Sequence, residues 1–140
     1  MALSLKKVYK KFIISSTNHI IIDCFINNVR GQFILDTGAS NSCIDYNKSD
    51  YFNLTLEPSN ESASSATNKI KSIYLSRNNH LKIGDWKSKS YEFFVFDMNY
   101  IKTIFSDEEN TNVDGIIGSD LLIKNNAKID YEKKKIELEL

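Results

Sequence analysis

The chain has 140 residues, with 18 Lys plus Arg set against 18 Asp plus Glu. That length supports one modest hydrophobic core, so residues 1–140 read as a single domain. The balanced charge supplies no overall field to draw the chain onto nucleic acid or an anionic membrane.

Near the start, Lys6, Lys7, Lys10 and Lys11 precede Phe12-Ile13-Ile14. This apolar run ends at Ser15-Ser16-Thr17, too short for a signal-peptide core or for a span of roughly 20 apolar residues. The chain therefore reads as cytoplasmic, without a membrane span. Residues 8–15 and 19–26 are rich in Ile, Phe and Val and flank Ser16-Thr17-Asn18, which predicts a hairpin. Asn27-Asn28-Val29-Arg30-Gly31 supplies turn chemistry, and residues 32–35 form the next strand. That strand runs directly into Asp36.

Residues 44–56 are polar with scattered apolar side chains, which predicts a loop or one helical turn. Residues 57–69 are rich in Ser, Asn and Ala and read as a mobile excursion leading into a strand at Ile73-Tyr74-Leu75. Residues 81–86 predict a strand reaching a Gly84-Asp85 turn. Residues 91–96 are nearly all aromatic or aliphatic, which predicts burial on both faces. Residues 106–112 are acidic and polar, a surface loop, and Val113-Asp114-Gly115-Ile116-Ile117-Gly118 returns to the interior. Ser119 or Asp120 can cap a short helix through Leu121-Leu122-Ile123. Residues 127–131 and 135–140 form a last hairpin, with Ile136, Leu138 and Leu140 on one face, suited equally to core or to an interface. The class is all-β with one short C-terminal helix.

Chemistry concentrates at one place. Phe33-Ile34-Leu35-Asp36-Thr37-Gly38-Ala39-Ser40 puts a carboxylate where an apolar strand ends, followed by residues suited to a tight turn. Gly38 permits close backbone approach, and Thr37 and Ser40 offer hydroxyls. Backbone N–H groups in such a turn can orient a carboxylate and keep it ionisable. An Asp that only stabilises its own turn fits the same residues. Cys24 and Cys43 form no C-x-x-C pair and His19 and His80 stand far apart, so a zinc site has little support. The aromatics Trp86, Tyr91, Phe93, Phe94 and Phe96 read as core, His80 as solvated, and Asp107-Glu108-Glu109 as a solvated loop.

The longer segment, two apolar residues followed by Asp-Thr-Gly-Ala-Ser, resembles the active-site signature of the retropepsin-like aspartic proteases. Ile116-Ile117-Gly118 followed by a short helix and a terminal strand resembles that family's second signature. The resemblance implies a closed, barrel-like acid-protease fold in a single-lobe subunit, and an endopeptidase with Asp36 as catalytic residue in an active-site loop of Thr37, Gly38, Ala39 and Ser40. Asp-Thr-Gly occurs once, whereas this chemistry needs two carboxylates. The second Asp36 would then come from a homodimer partner, with Thr37 bonding across the axis. The implied substrate is a protein or peptide in extended conformation, and no metal or organic cofactor is implied. The family's flap would fall at residues 57–72, a stretch without glycine. That departure keeps open an inactive peptide-binding or dimerisation module of the same fold.

Overall fold

The computed structural model describes residues 6–59, 72–99, 101 and 112–140. Strands β3 (Ile20–Ile26) and β4 (Val29–Leu35) run antiparallel about Asn27 and Asn28, whose φ angles of 51° and 68° are left-handed. Asparagine tolerates that conformation and forms a two-residue turn. Val29, Arg30 and Gly31, expected in the turn, therefore already lie in the strand.

The hairpin expected over residues 8–15 and 19–26 is only partly formed. β2 (Ile13–Ile14) pairs with β3, while β1 (Lys7–Lys11) joins a separate sheet. Between them Phe12 is buried, and its N–H donates to the Lys134 carbonyl at 2.9 Å. Burying both Val8 and Phe12 turns the chain from one sheet to the other.

The larger sheet continues through β5 (Cys43–Asp45), β6 (Glu57–Pro58), β7 (Tyr74–Ile83), β8 (Trp86–Phe96) and β9 (Gly115–Ile117). Its strand order is β2-β3-β4-β9-β5-β8-β7-β6, and β3 also pairs with β7, opposite Lys82 and Leu81. That extra pairing closes six strands into a barrel, as the family resemblance implied. β4 with β9 and β5 with β8 are parallel, and β5 with β9 is antiparallel. A short 3-10 turn, Tyr46–Lys48, follows β5.

β7 is longer than expected because the polar Arg77-Asn78-Asn79-His80 stays inside the strand. Register shifts flank Asn79, and the buried Asn79 amide donates to the Ser76 and Tyr91 carbonyls at 3.1 and 3.3 Å. Its side chain thus satisfies backbone groups that the irregular ladder leaves over. His80 is exposed, as expected.

Alternation sorts the barrel strands into two apolar groups. Ile20, Ile22, Cys24, Ile26, Phe33, Leu35, Ile44, Phe93, Val95 and Ile117 point into the main core, which Trp86 also joins. Ile21, Ile34, Cys43 and Ile116 point out of the barrel and form a second cluster with Met98 and Val113. Phe93 and Val95 are fully buried in the main core, while Phe94 and Phe96 are half-buried against the second cluster, so the second face of that strand is only partly covered.

The chain ends in helix α1 (Ser119–Lys124) and strands β10 (Lys128–Asp130) and β11 (Lys135–Glu139). A second sheet has the order β1-β11-β10. Ile136 and Leu138 are 0% and 1% exposed, so they are core, while Leu140 is exposed. The family's flap position, residues 57–72, lies mostly outside the described residues, as does the acidic loop expected over 106–112. At the flap's base, Glu57 and Pro58 pair with Leu75 and Tyr74. Among the described residues no helix is long and apolar enough to cross a membrane.

Candidate active site

Asp36 sits one residue beyond β4 and continues its parallel ladder with β9, donating its N–H to the Ile117 carbonyl at 2.9 Å. The chain then turns sharply. Ala39 N–H donates to the Asp36 carbonyl at 3.2 Å, and Gly38 N–H donates to Asp36 Oδ1 at 2.8 Å. One carboxylate oxygen is thereby fixed by a backbone donor, while the side chain stays partly exposed. Thr37, Gly38 and Ser40 are exposed and Ala39 is half-buried, so all five residues singled out in the sequence share one loop.

That loop is fastened to the start of α1. The Ala39 carbonyl accepts from Ser119 N–H at 2.7 Å and from the Ser119 hydroxyl at 3.0 Å. Gly118 N–H donates to Ser42 Oγ at 2.9 Å. A Cβ on Gly118 would stand 2.6 Å from the Ala39 carbonyl oxygen, so the approach of the two turns requires glycine.

Ser42 and Asp120 carry the fastening deeper. The buried Ser42 hydroxyl donates to Asp120 Oδ1 at 2.8 Å, and the Tyr91 hydroxyl of β8 donates to Asp120 Oδ2 at 2.9 Å. Burial first, and then the Asp120 charge, push the Tyr91 phenol well above its ordinary value, so it remains a donor. Asp120, expected as a helix cap, instead spends both oxygens on this network. Gly118 occupies the cap position without a side-chain bond.

Ser42, Tyr91 and Ser119 were not foreseen as site residues. Ser42 and Asp120 lie 78 positions apart, and only the close pairing of β4, β9 and β5 brings them together. The sole local trace in the sequence is a polar Ser-Asp pair placed after Ile-Ile-Gly.

Cys24 and Cys43 are buried free thiols. Burial, with smaller contributions from Asp120, Asp36 and Asp45, pushes the Cys43 thiol up to about 12. A thiol so disfavoured as thiolate is a poor nucleophile. Among the described residues no cluster of His, Cys, Asp or Glu is arranged to hold a metal ion.

A barrel whose parallel β4–β9 pair delivers an Asp-Thr-Gly loop against the Gly118 turn is a retropepsin-like fold. The similarities of the chain agree with that class. It belongs to the aspartyl protease family, whose family model matches residues 22–121.

Among solved structures, it is similar to a retropepsin-like aspartic protease from Rickettsia conorii at 18% identity, with a TM-score of 0.65 over 97% of this chain and 92% of that one. It is also similar to the retroviral protease-like domain of Ddi1 from Leishmania major at 16% identity, with a TM-score of 0.54 over 81% of this chain and 82% of that one. The EIAV protease, solved with an inhibitor, matches at 14% identity, with a TM-score of 0.59 over 84% of this chain and 98% of that one. At these identities the likeness establishes the fold. No curated protein sequence matches the chain significantly.

Proposed function

We propose that this chain, as one domain, is the subunit of a homodimeric aspartic endopeptidase that hydrolyses internal peptide bonds with one Asp36 from each subunit. The observation that carries this reading is the state of Asp36. It is held in one orientation by the Gly38 N–H at 2.8 Å, yet it is left partly exposed at the end of the sheet.

Two such carboxylates brought together on a two-fold axis cannot both ionise easily, so the pair shares one proton. The ionised Asp36 takes a proton from water as the water oxygen attacks the peptide carbonyl. The protonated Asp36 of the second subunit gives its proton to the carbonyl oxygen, producing a tetrahedral diol. Collapse of the diol breaks the C–N bond, and the amine leaves with a proton returned from the dyad. In this reading Thr37, exposed beside Asp36, bonds across the axis to the partner's loop. Gly38 leaves room for the substrate carbonyl, and Ala39 and Ser40 help to orient Asp36.

The dimer does not require exchange of terminal strands. β11 already pairs with β1 and β10 of its own subunit, with Val8 opposite Leu138 and Ile129 opposite Ile136. The contact is therefore assigned to the exposed Asp36 loops. An extended protein segment is the substrate that fits such a cleft.

The test is cleavage of an unfolded casein-type substrate across roughly pH 4 to 7, at several enzyme concentrations, with and without pepstatin. Cleavage should vanish in Asp36→Asn, fall faster than linearly on dilution and follow a bell-shaped pH profile. Full activity in the mutant would remove Asp36 from the mechanism.

A further inference from the structure

We infer that His19 is a specificity-determining residue, standing beside Asp36 and donating a hydrogen bond to a substrate side chain that carries a carboxylate close to the scissile bond. The inference rests on the proposed protease reading.

The placement follows from register. β3 and β4 pair through Ile21 opposite Ile34 and Ile20 opposite Leu35, so one further step sets His19 opposite Asp36. The backbone bonds at that step agree. Asp36 turns its N–H away from β3, to the Ile117 carbonyl at 2.9 Å. His19 turns away from β4: its carbonyl accepts from Ser15 N–H at 2.9 Å, and its N–H donates to Ser15 Oγ at 3.1 Å. That is the arrangement of a non-hydrogen-bonded pair, the kind whose side chains lie closest. Directly opposite residues have Cβ atoms about 5 Å apart.

The faces agree with the register. Ile20 and Leu35 belong to the main core, whereas Ile21 and Ile34 belong to the cluster outside the barrel. Alternation therefore puts His19 and Asp36 together on the outer face. β2 extends the row, because Ile13 opposite Ile21 and Ile14 opposite Ile20 lead to Ser15 opposite His19. Ser15, His19 and Asp36 thus lie side by side across three strands, at the end of the sheet where the carboxylate is presented.

The ring is held in place. Thr17 Oγ1 lies 2.7 Å from His19 Nδ1 and 2.9 Å from Ser15 Oγ, and Asn18, with a left-handed φ of 66°, folds the turn that brings them together. When Nδ1 accepts the Thr17 hydroxyl proton, the ring hydrogen sits on Nε2, and an imidazolium carries one there too. Nε2 is a donor in both. Because the ring is tied to Thr17 of its own turn, it acts on the substrate and leaves the proton transfers to the two Asp36 carboxylates.

The consequence is a chemical preference. An extended substrate rises about 3.3 Å per residue, so a residue one or two positions from the scissile bond reaches a half-buried donor one strand from Asp36. Among acceptors a carboxylate makes the strongest bond, since its charge assists it. A Glu side chain near the scissile bond is therefore favoured over a Leu of similar size.

The experiment measures kcat/KM for wild type, His19→Leu and His19→Gln on peptides carrying Glu or Leu at each of the two positions on either side of the scissile bond. The same peptides are run as non-cleavable hydroxyethylene isosteres by calorimetry, with thermal melts as a folding check. The expected result is a preference of about tenfold for Glu at one of these positions in wild type. It should be lost in His19→Leu and kept in His19→Gln, whose amide N–H replaces the Nε2 donor. Should His19→Leu not fold, Thr17→Val, which removes the hydroxyl holding Nδ1, is read for the same loss. An enzyme that depends on Asp36 yet treats Glu and Leu alike, or keeps the preference without His19, overturns the inference and leaves the proposed function standing. Isosteres bound with a His19-dependent preference for Glu, by a wild type that cuts nothing, do the reverse.

Discussion

The two ends of one sheet treat carboxylates in opposite ways. At one end, Asp45 is 0% exposed, and its Oδ1 accepts from the Asn47 backbone and side chain and from Met98 N–H. Beside it, Asp114 takes the Gln32 N–H at 3.0 Å and the Lys48 ammonium at 3.6 Å. At the other end, Asp36 receives its side-chain bond from the Gly38 N–H and keeps a face toward solvent. The same residue type is consumed as structure where donors surround it and left partly exposed where the Gly38 N–H orients it. Position along the ladder, rather than residue identity, separates the two roles.

Asp36→Asn tests the exposed end most severely. We expect a loss of about 10^3-fold or more in cleavage, with stability changed by about 0.5 kcal/mol or less because the side chain is partly exposed. Activity assays beside thermal melts check both halves. At the consumed end, Asp45→Ala should reverse the pattern, costing about 2–4 kcal/mol because it leaves buried donors unpaired. Denaturant titration measures that cost, and a variant as stable as wild type would break the comparison.

Asp120 belongs between the extremes, consumed as structure yet adjoining the Asp36 loop. Asp120→Asn places an amide donor against two hydroxyl donors. The expected cost is about 1–2 kcal/mol, with a fall of roughly tenfold in kcat and little change in KM, since it acts through the placement of the loop. Tyr91→Phe removes one of the two donors and should cost about 1 kcal/mol.

The smallest effect is at Cys43. Burial pushes its thiol up to about 12 from an ordinary value of 9.0, so the unfolded chain loses its proton first as pH rises. The contribution to stability is whole below about pH 9 and is lost as pH climbs toward 12. Iodoacetamide at pH 8 should leave Cys24 and Cys43 unlabelled in the native protein and label both after denaturation.

The Asp36 loop was legible because its chemistry is local: a strand end, a glycine and two hydroxyls within five positions. The all-β class was legible from short apolar runs, the barrel from the family resemblance, and the final hairpin from alternation at Ile136 and Leu138. What escaped was everything that depended on a distant partner. Val8 has no local reason to prefer Leu138 over residues 19–26, and Asp120 reads as a helix cap until Ser42 and Tyr91 are brought to it.

The second sheet joins the two ends of the described chain, with Lys7 opposite Glu139 and the Leu140 N–H bonded to the Lys6 carbonyl at 2.9 Å. During synthesis, β1 must therefore wait for β11 before it can be paired. Closing that longest loop is an entropic cost met only at the end. Until then Val8 and Phe12 stay without their native cover, so residues 8–12 are, among the described residues, a stretch that a chaperone would find exposed for long.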